Sequence, residues 1–304
     1  MKTLVYLSFG GGSYSDEALY AVLSALHEIG PDLDEYRIVI YTDDPATFDG
    51  LPVRVETVDQ ATLADWAGPC GHIYRRKVIA LRETLNKFGG AVTFCDTDTY
   101  FLKHPRKLFA RIRPGHTVLH LFEGSPTQLR VHALAHILQT CEFFRLGGER
   151  WNIGPDTPII NSGVIGIHEA DAALLDEVIN LIDQICPHLD YFGTEQFSFS
   201  ACLAQYSTLS YAHDVVHHYW PPAGRERFHE HLALTLRDSS IGSYDARFAR
   251  LFRVREQLLD RPESVAEHLH VAVWRLLNRT GTLERAHQMQ RWLRGHDNTH
   301  HPST

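Results

Sequence analysis

Short, strongly apolar runs that recur between helix-spaced segments narrow the folds open to this chain more than any other feature. Residues 3–9, 37–42, 53–58 and 91–95 each read as a buried strand, and the last closes on two aspartates. Between the first two, Ala18, Leu19, Val22, Leu23 and Leu26 recur at helical spacing behind Ser15, which is placed to cap the helix. A Trp66-bearing loop and a helix over residues 74–87 precede the fourth strand. Strands alternating with helices predict an α/β fold whose mainly parallel sheet is covered on both faces. Further along, residues 117–122 read as a strand. A helix carrying Leu134, Ile137, Leu138, Cys141 and Phe144 follows, then a Gly- and Pro-rich loop over 147–158. Asn161-Ser162-Gly163 opens a strand over 164–167, and helices follow over the segment containing Leu174, Val178 and Ile182 and over 192–204.

Composition excludes several classes. The 304 residues carry a formal charge of −8 with no long like-charge run, which speaks against a dedicated duplex-DNA binder. No apolar stretch reaches about 18 residues, the length that spans a bilayer, and the start reads without a secretory leader. Five scattered cysteines with no Cys-x-x-Cys pair fit reduced thiols and a cytoplasmic setting. From Tyr244 onward ten arginines face seven acids. Two domains are therefore expected: a catalytic unit over 1–243 and a basic helical C-terminal appendage with a ragged tail over 244–304. A basic helical face of this kind can sit peripherally on an anionic membrane surface, here the inner face.

Chemistry concentrates at Phe94-Cys95-Asp96-Thr97-Asp98. Two carboxylates two residues apart, at the carboxyl end of a parallel strand, can hold a hard divalent cation that also touches a diphosphate. The same pattern matches the nucleophile motif of haloacid-dehalogenase-like phosphatases, with Asp96 attacking phosphorus. That reading expects the motif near the chain start and a later acidic pair, and neither is present in the sequence. Gly10, Gly11 and Gly12 at the end of the first strand permit close approach by a ligand. They do not make a dinucleotide fingerprint, because position 15 is Ser.

Asp43 at the end of the second strand, the Asp96/Asp98 pair, Asn161-Ser162-Gly163 and Glu195-Gln196, in this order, give a set that resembles the GT-A glycosyltransferases, with the nearest likeness to the glycogenin and bacterial lipooligosaccharide glycosyltransferase group. The resemblance covers roughly residues 3–228 and implies a GT-A fold acting on a nucleotide-sugar, a UDP-sugar first among them, with Mn²⁺ or Mg²⁺. It implies that Asp96 and Asp98 bind the metal with a histidine from Val216-His217-His218-Tyr219. His218 is the first choice, and His217 competes because a one-residue change of register exchanges them. Ser8, Gly10, Asp43, Arg76, Lys77, Thr97, Asn161, Ser162 and Gly163 would line the donor, and Glu195 and Gln196 the reacting face. Retention and inversion both remain open. The acceptor would be a glycan, a lipid-linked sugar, a protein or a small molecule. A module that binds the nucleotide-sugar without turnover is the remaining alternative.

Overall fold

A computed structural model describes residues 1–220 together with Arg225, Phe228, His229 and Leu232. The boundary expected at 243/244 and the basic helical appendage beyond it lie outside the described residues. Buried Leu4, Val5 and Tyr6 make Lys2–Ser8 (β1) a strand covered on both faces. Ser13–Ile29 (α1) follows, then Tyr36–Thr42 (β2), Arg54–Thr57 (β3), Gln60–Trp66 (α2), Arg75–Phe88 (α3), Ala91–Cys95 (β4) and Thr99–Phe101 (β5). The short Arg106–Phe109 (α4) leads to His116–Gly124 (β6), His132–Thr140 (α5), Ile159–His168 (β7), Ala173–Ile185 (α6) and Thr194–Tyr206 (α7). Thr208–Tyr211 (β8) and Val216–His218 (β9) complete the series.

The main sheet has the order β3-β2-β1-β4-β7-β6-β8, and β5 pairs with β9 in a small second sheet. In the main sheet β1 runs parallel to both β2 and β4, β2 to β3, and β6 to β8, while β7 is antiparallel to its neighbours β4 and β6; β5 and β9 also pair antiparallel. The predicted mainly parallel α/β sheet is therefore present. The strand order reverses at β1, so the carboxyl ends of β1 and β4 flank the crevice where open sheets of this type take ligands. One apolar layer packs α3, α6 and α7 on one face, with Leu81, Leu181 and Phe197 fully buried. A second packs α1 on the other through Val22, Ala25 and Ile29. Among the described residues, no helix is long and apolar enough to cross a membrane.

Four local expectations are corrected. Ser15 does not cap α1: the helix starts at Ser13 after Gly12, with no side-chain cap, and Ser15 is buried in its first turn. Gly10, Gly11 and Gly12 all have positive φ, so a glycine turn rather than a hydroxyl introduces the helix. Trp66 ends α2 instead of lying in a loop; Asp59 caps that helix through the Thr62 N–H, at 2.7 Å. Phe144 lies beyond α5, which stops at Thr140. Asn161-Ser162-Gly163 sits inside β7 rather than at its opening, because pairing with β6 extends the strand back to Ile159.

Candidate metal and donor site

β4 ends at Cys95, and its next residue donates its backbone N–H to the Gly163 carbonyl of β7 at 2.8 Å. Thr99 Oγ1 returns a hydrogen bond to the Asp96 carbonyl at 2.7 Å, closing the turn in which Thr97 is half-buried. The Tyr219 N–H holds the Asp98 carbonyl from the other side at 3.1 Å. The turn is thus held by β7 on one side and by the residue after β9 on the other. Asp96, Asp98 and His218 each offer a ligand atom within 4.8 Å of the others, a donor set of two carboxylates and one imidazole. Such a mixed oxygen and nitrogen set fits Mn²⁺ well, and Mg²⁺ through its carboxylates.

The pairing of β5 with β9 brings His218 rather than His217 beside Asp98. Thr99 faces His218 and Tyr100 faces His217, so successive side chains go to opposite sides. His218 Nε2 lies 3.1 Å from Asp98 Oδ1, whereas the His217 ring sits 4.9 Å from the Tyr100 ring. Gly163 allows this: a Cβ there would overlap the His218 ring and crowd the Asn161 amide. The glycine serves close approach rather than flexibility.

Lys77 Nζ, on α3, stands 3.1 Å from each oxygen of Asp96 and 3.6 Å from Glu195 Oε2. Burial works against its charge, but Asp96 and Glu195 outweigh that and hold it firmly protonated. Burial likewise opposes ionisation of Asp98, yet His218 and Arg225 hold its carboxyl well below the usual range. Burial also opposes charge on His218, and Asp98 and Asp96 nevertheless raise it. Of the two basic candidates on α3, only Lys77 reaches the carboxylates. Arg76 donates to the Leu63 carbonyl at 2.7 Å and lies over the Phe9 ring at 4.7 Å, beside the end of β1. Ser8 is buried there. Asp43 Oδ2 accepts from the Gly10 N–H and from Gln60 Nε2, both at 3.2 Å.

At the amino end of α7, Glu195 Oε2 accepts from Ser162 Oγ at 3.1 Å, while Oε1 is buried without a hydrogen-bond partner among the described residues. Burial pushes this carboxyl up to about 7, against the pull of Lys77. The folded state therefore holds a proton that the unfolded chain, with an ordinary value of 4.5, has already released. Stability falls as pH rises between these values, by up to about 3 kcal/mol. In urea denaturation, Glu195→Gln should gain on the wild type from pH 4.5 to 7 and hold that gain above; a pH-independent difference between the two proteins would contradict the assignment.

Three residues went unnoticed in the sequence. Glu123, near the end of β6, accepts from Asn161 Nδ2 at 3.0 Å and Gln196 Nε2 at 2.8 Å. Arg225 makes two 2.7 Å bonds to the buried carboxylate of Glu17 on α1 and places Nη1 3.4 Å from Asp98 Oδ2. An isolated glutamate in the apolar run of β6 was the available signal for the first. Glu17 and Arg225 are 208 residues apart, and no spacing rule links them. Trp151, in the 147–158 loop, is buried edge-on against Tyr206 and packs the core.

No protein-family model and no curated protein matches the chain. Among solved structures it is similar to mouse xyloside xylosyltransferase 1 in its apo form, at 14% identity over 69% of this chain and 85% of that one, with a TM-score of 0.45. It is also similar to the galactosyltransferase LgtC in complex with donor and acceptor sugar analogs, at 14% identity over 77% of this chain and 95% of that one, with a TM-score of 0.51. A mostly parallel sheet reversing at β1, an antiparallel β7 beside the strand that ends at Cys95, and this likeness to LgtC together identify the architecture: the chain has the GT-A fold of the glycosyltransferases.

Proposed function

We propose that the protein is a metal-dependent glycosyltransferase that moves a sugar from a nucleotide-sugar, a UDP-sugar first among the candidates, to a hydroxyl of a glycan, lipid-linked or small-molecule acceptor. The observation that carries this reading is the Asp96, Asp98 and His218 cluster at the carboxyl edge of the sheet, beside the crevice between β1 and β4. A solved galactosyltransferase of the same fold holds donor and acceptor sugar analogs, which supports the same pairing of substrates here. Bound between these three residues, Mn²⁺ or Mg²⁺ would supply positive charge to the departing nucleoside diphosphate.

The chain's own residues do the remainder. Gly10, with its N–H held by Asp43, lets the donor approach the backbone, and Ser8, Asp43 and Arg76 border the nucleoside. Lys77 neutralises Asp96 and Glu195 and keeps both from repelling the diphosphate. Arg225 is braced by Glu17 beside Asp98, where a second cation faces the same anion. Asn161, Ser162, Gly163, Thr97, Glu195 and Gln196 border the sugar. Glu195 is the group poised to hold or accept a proton near neutrality.

Nucleotide-sugar turnover measured with Mn²⁺ and with chelator tests the reading. Metal-dependent sugar transfer or donor hydrolysis is expected. Equal turnover under both conditions, or nucleotide binding with no turnover on any acceptor, would contradict it. A phospho-aspartyl enzyme would instead need a further acidic pair beside Asp96, and the third group brought there among the described residues is a histidine. The arginine-rich stretch from Tyr244 is the part that would seat this cytoplasmic enzyme on an anionic membrane. Co-sedimentation with anionic vesicles should therefore fall when residues 244–304 are removed, and unchanged co-sedimentation would refute that seating.

A further inference from the structure

We propose that Glu123 is a positioning residue that orients two amides at once, and through them the metal-facing nitrogen of His218 and the carbonyl oxygen of Gln196. The inference rests on reading Asp96, Asp98 and His218 as a metal site.

Glu123 ends an apolar strand, and among the described residues its carboxylate makes no ion pair. Its partners there are two side-chain amides, Asn161 Nδ2 at 3.0 Å on one oxygen and Gln196 Nε2 at 2.8 Å on the other. An ionised carboxylate only accepts hydrogen bonds. Each amide must therefore turn its NH₂ toward Glu123 and its oxygen away.

For Asn161, that orientation presents Oδ1 to two donors. The Gly163 N–H lies 3.0 Å from it and His218 Nδ1 lies 2.9 Å from it. Because Oδ1 cannot donate, Nδ1 carries the hydrogen, and Nε2 is the ring nitrogen left to face Asp98 and a cation. For Gln196, commitment of Nε2 to Glu123 turns Oε1 away, and among the described residues it is the amide atom left for a ligand. One acceptor-only group therefore sets the ligand atom of the metal cluster and the polar atom of the neighbouring helix. Flipping the Asn161 amide would place NH₂ against both the Gly163 N–H and the His218 ring.

The decisive comparison uses Glu123→Gln, which keeps size but can present either oxygen or NH₂. Mn²⁺ alone is titrated into the full chain and followed by loss of the free aqueous Mn²⁺ EPR signal, with melting temperature recorded beside it. Glu123→Gln should melt close to the wild type and bind Mn²⁺ about tenfold more weakly. Asn161→Asp should also bind more weakly, because two carboxylates then oppose each other. The double variant Glu123→Gln with Asn161→Asp should recover most of the lost affinity. In it, NH₂ of the new amide donates to the new carboxylate, its oxygen accepts from Gln196, and the His218 Nδ1–H again meets an acceptor. Equal Mn²⁺ affinity in Glu123→Gln and wild type, or no recovery in the double variant, overturns the positioning role while leaving the metal site standing. Failure of the wild type to bind Mn²⁺ overturns the metal reading itself and this inference with it.

Discussion

Asp98→Asn is expected to lower nucleotide-sugar turnover by roughly 10³-fold or more while moving the melting temperature only slightly. The two consequences separate because the neighbours of Asp98 have other partners. His218 keeps Nδ1 on Asn161, and Arg225 keeps two bonds to Glu17. The amide, with both an oxygen and an NH₂, can still hydrogen-bond His218 Nε2, so the cluster loses charge without losing its shape. On the proposed reading, what disappears is one of the two carboxylates that would hold a divalent ion facing the diphosphate. Steady-state kinetics with saturating Mn²⁺ are the measurement. Turnover within about threefold of the wild type would show that Asp98 makes no contact worth more in the transition state than in the ground state, and the proposed role would fall.

The largest stability effect is expected at Lys77. Its ammonium stands between Asp96 and Glu195 with little solvent access, and Lys77→Met leaves both carboxylates without their shared counter-ion. Breaking one partner out of a buried ionic cluster costs about 3–5 kcal/mol, which lowers the melting temperature on the order of 10 °C in a domain of this size. The sign with pH follows from the carboxylates. Glu195 sits near 7 even with Lys77 present, so at acid pH it is neutral and needs no cation. The deficit of Lys77→Met should therefore shrink as pH falls from 8 to 5. Adding Glu195→Gln to Lys77→Met should restore part of the loss at pH 8, since the two sites are coupled. Scanning calorimetry across that range checks both statements. A melting temperature for Lys77→Met equal to the wild type at pH 8 would contradict the assignment of Lys77 as the shared counter-ion.

Much of this architecture was legible in the sequence because burial imposes patterns. Strands covered on both faces read as unbroken apolar runs, and β1, β2 and β4 show this plainly. The Asp96/Asp98 pair stands out because two carboxylates cap such a run. What sequence cannot supply is register and long-range closure. A three-residue strand such as β9 exposes either histidine depending on its pairing, and the Thr99 partnership is what places His218 beside Asp98. The antiparallel direction of β7 is set by its neighbours rather than its residues, so Asn161-Ser162-Gly163 falls inside the strand and reaches His218 from there. The cap expected at Ser15 failed because three glycines with positive φ already turn the chain into α1. Glu123, Glu17 and Arg225 act through partners far along the chain, and apart from the lone glutamate in the apolar run of β6 no local pattern points to them.

Anomalous scattering at the manganese edge, from crystals of the protein with Mn²⁺ and UDP, tests the central assignment most directly. The predicted result is one strong peak within coordination distance of Asp96, Asp98 and His218, with diphosphate oxygens completing its surroundings. A bound nucleotide whose diphosphate carries no peak there, or a peak seated on other residues, would contradict it.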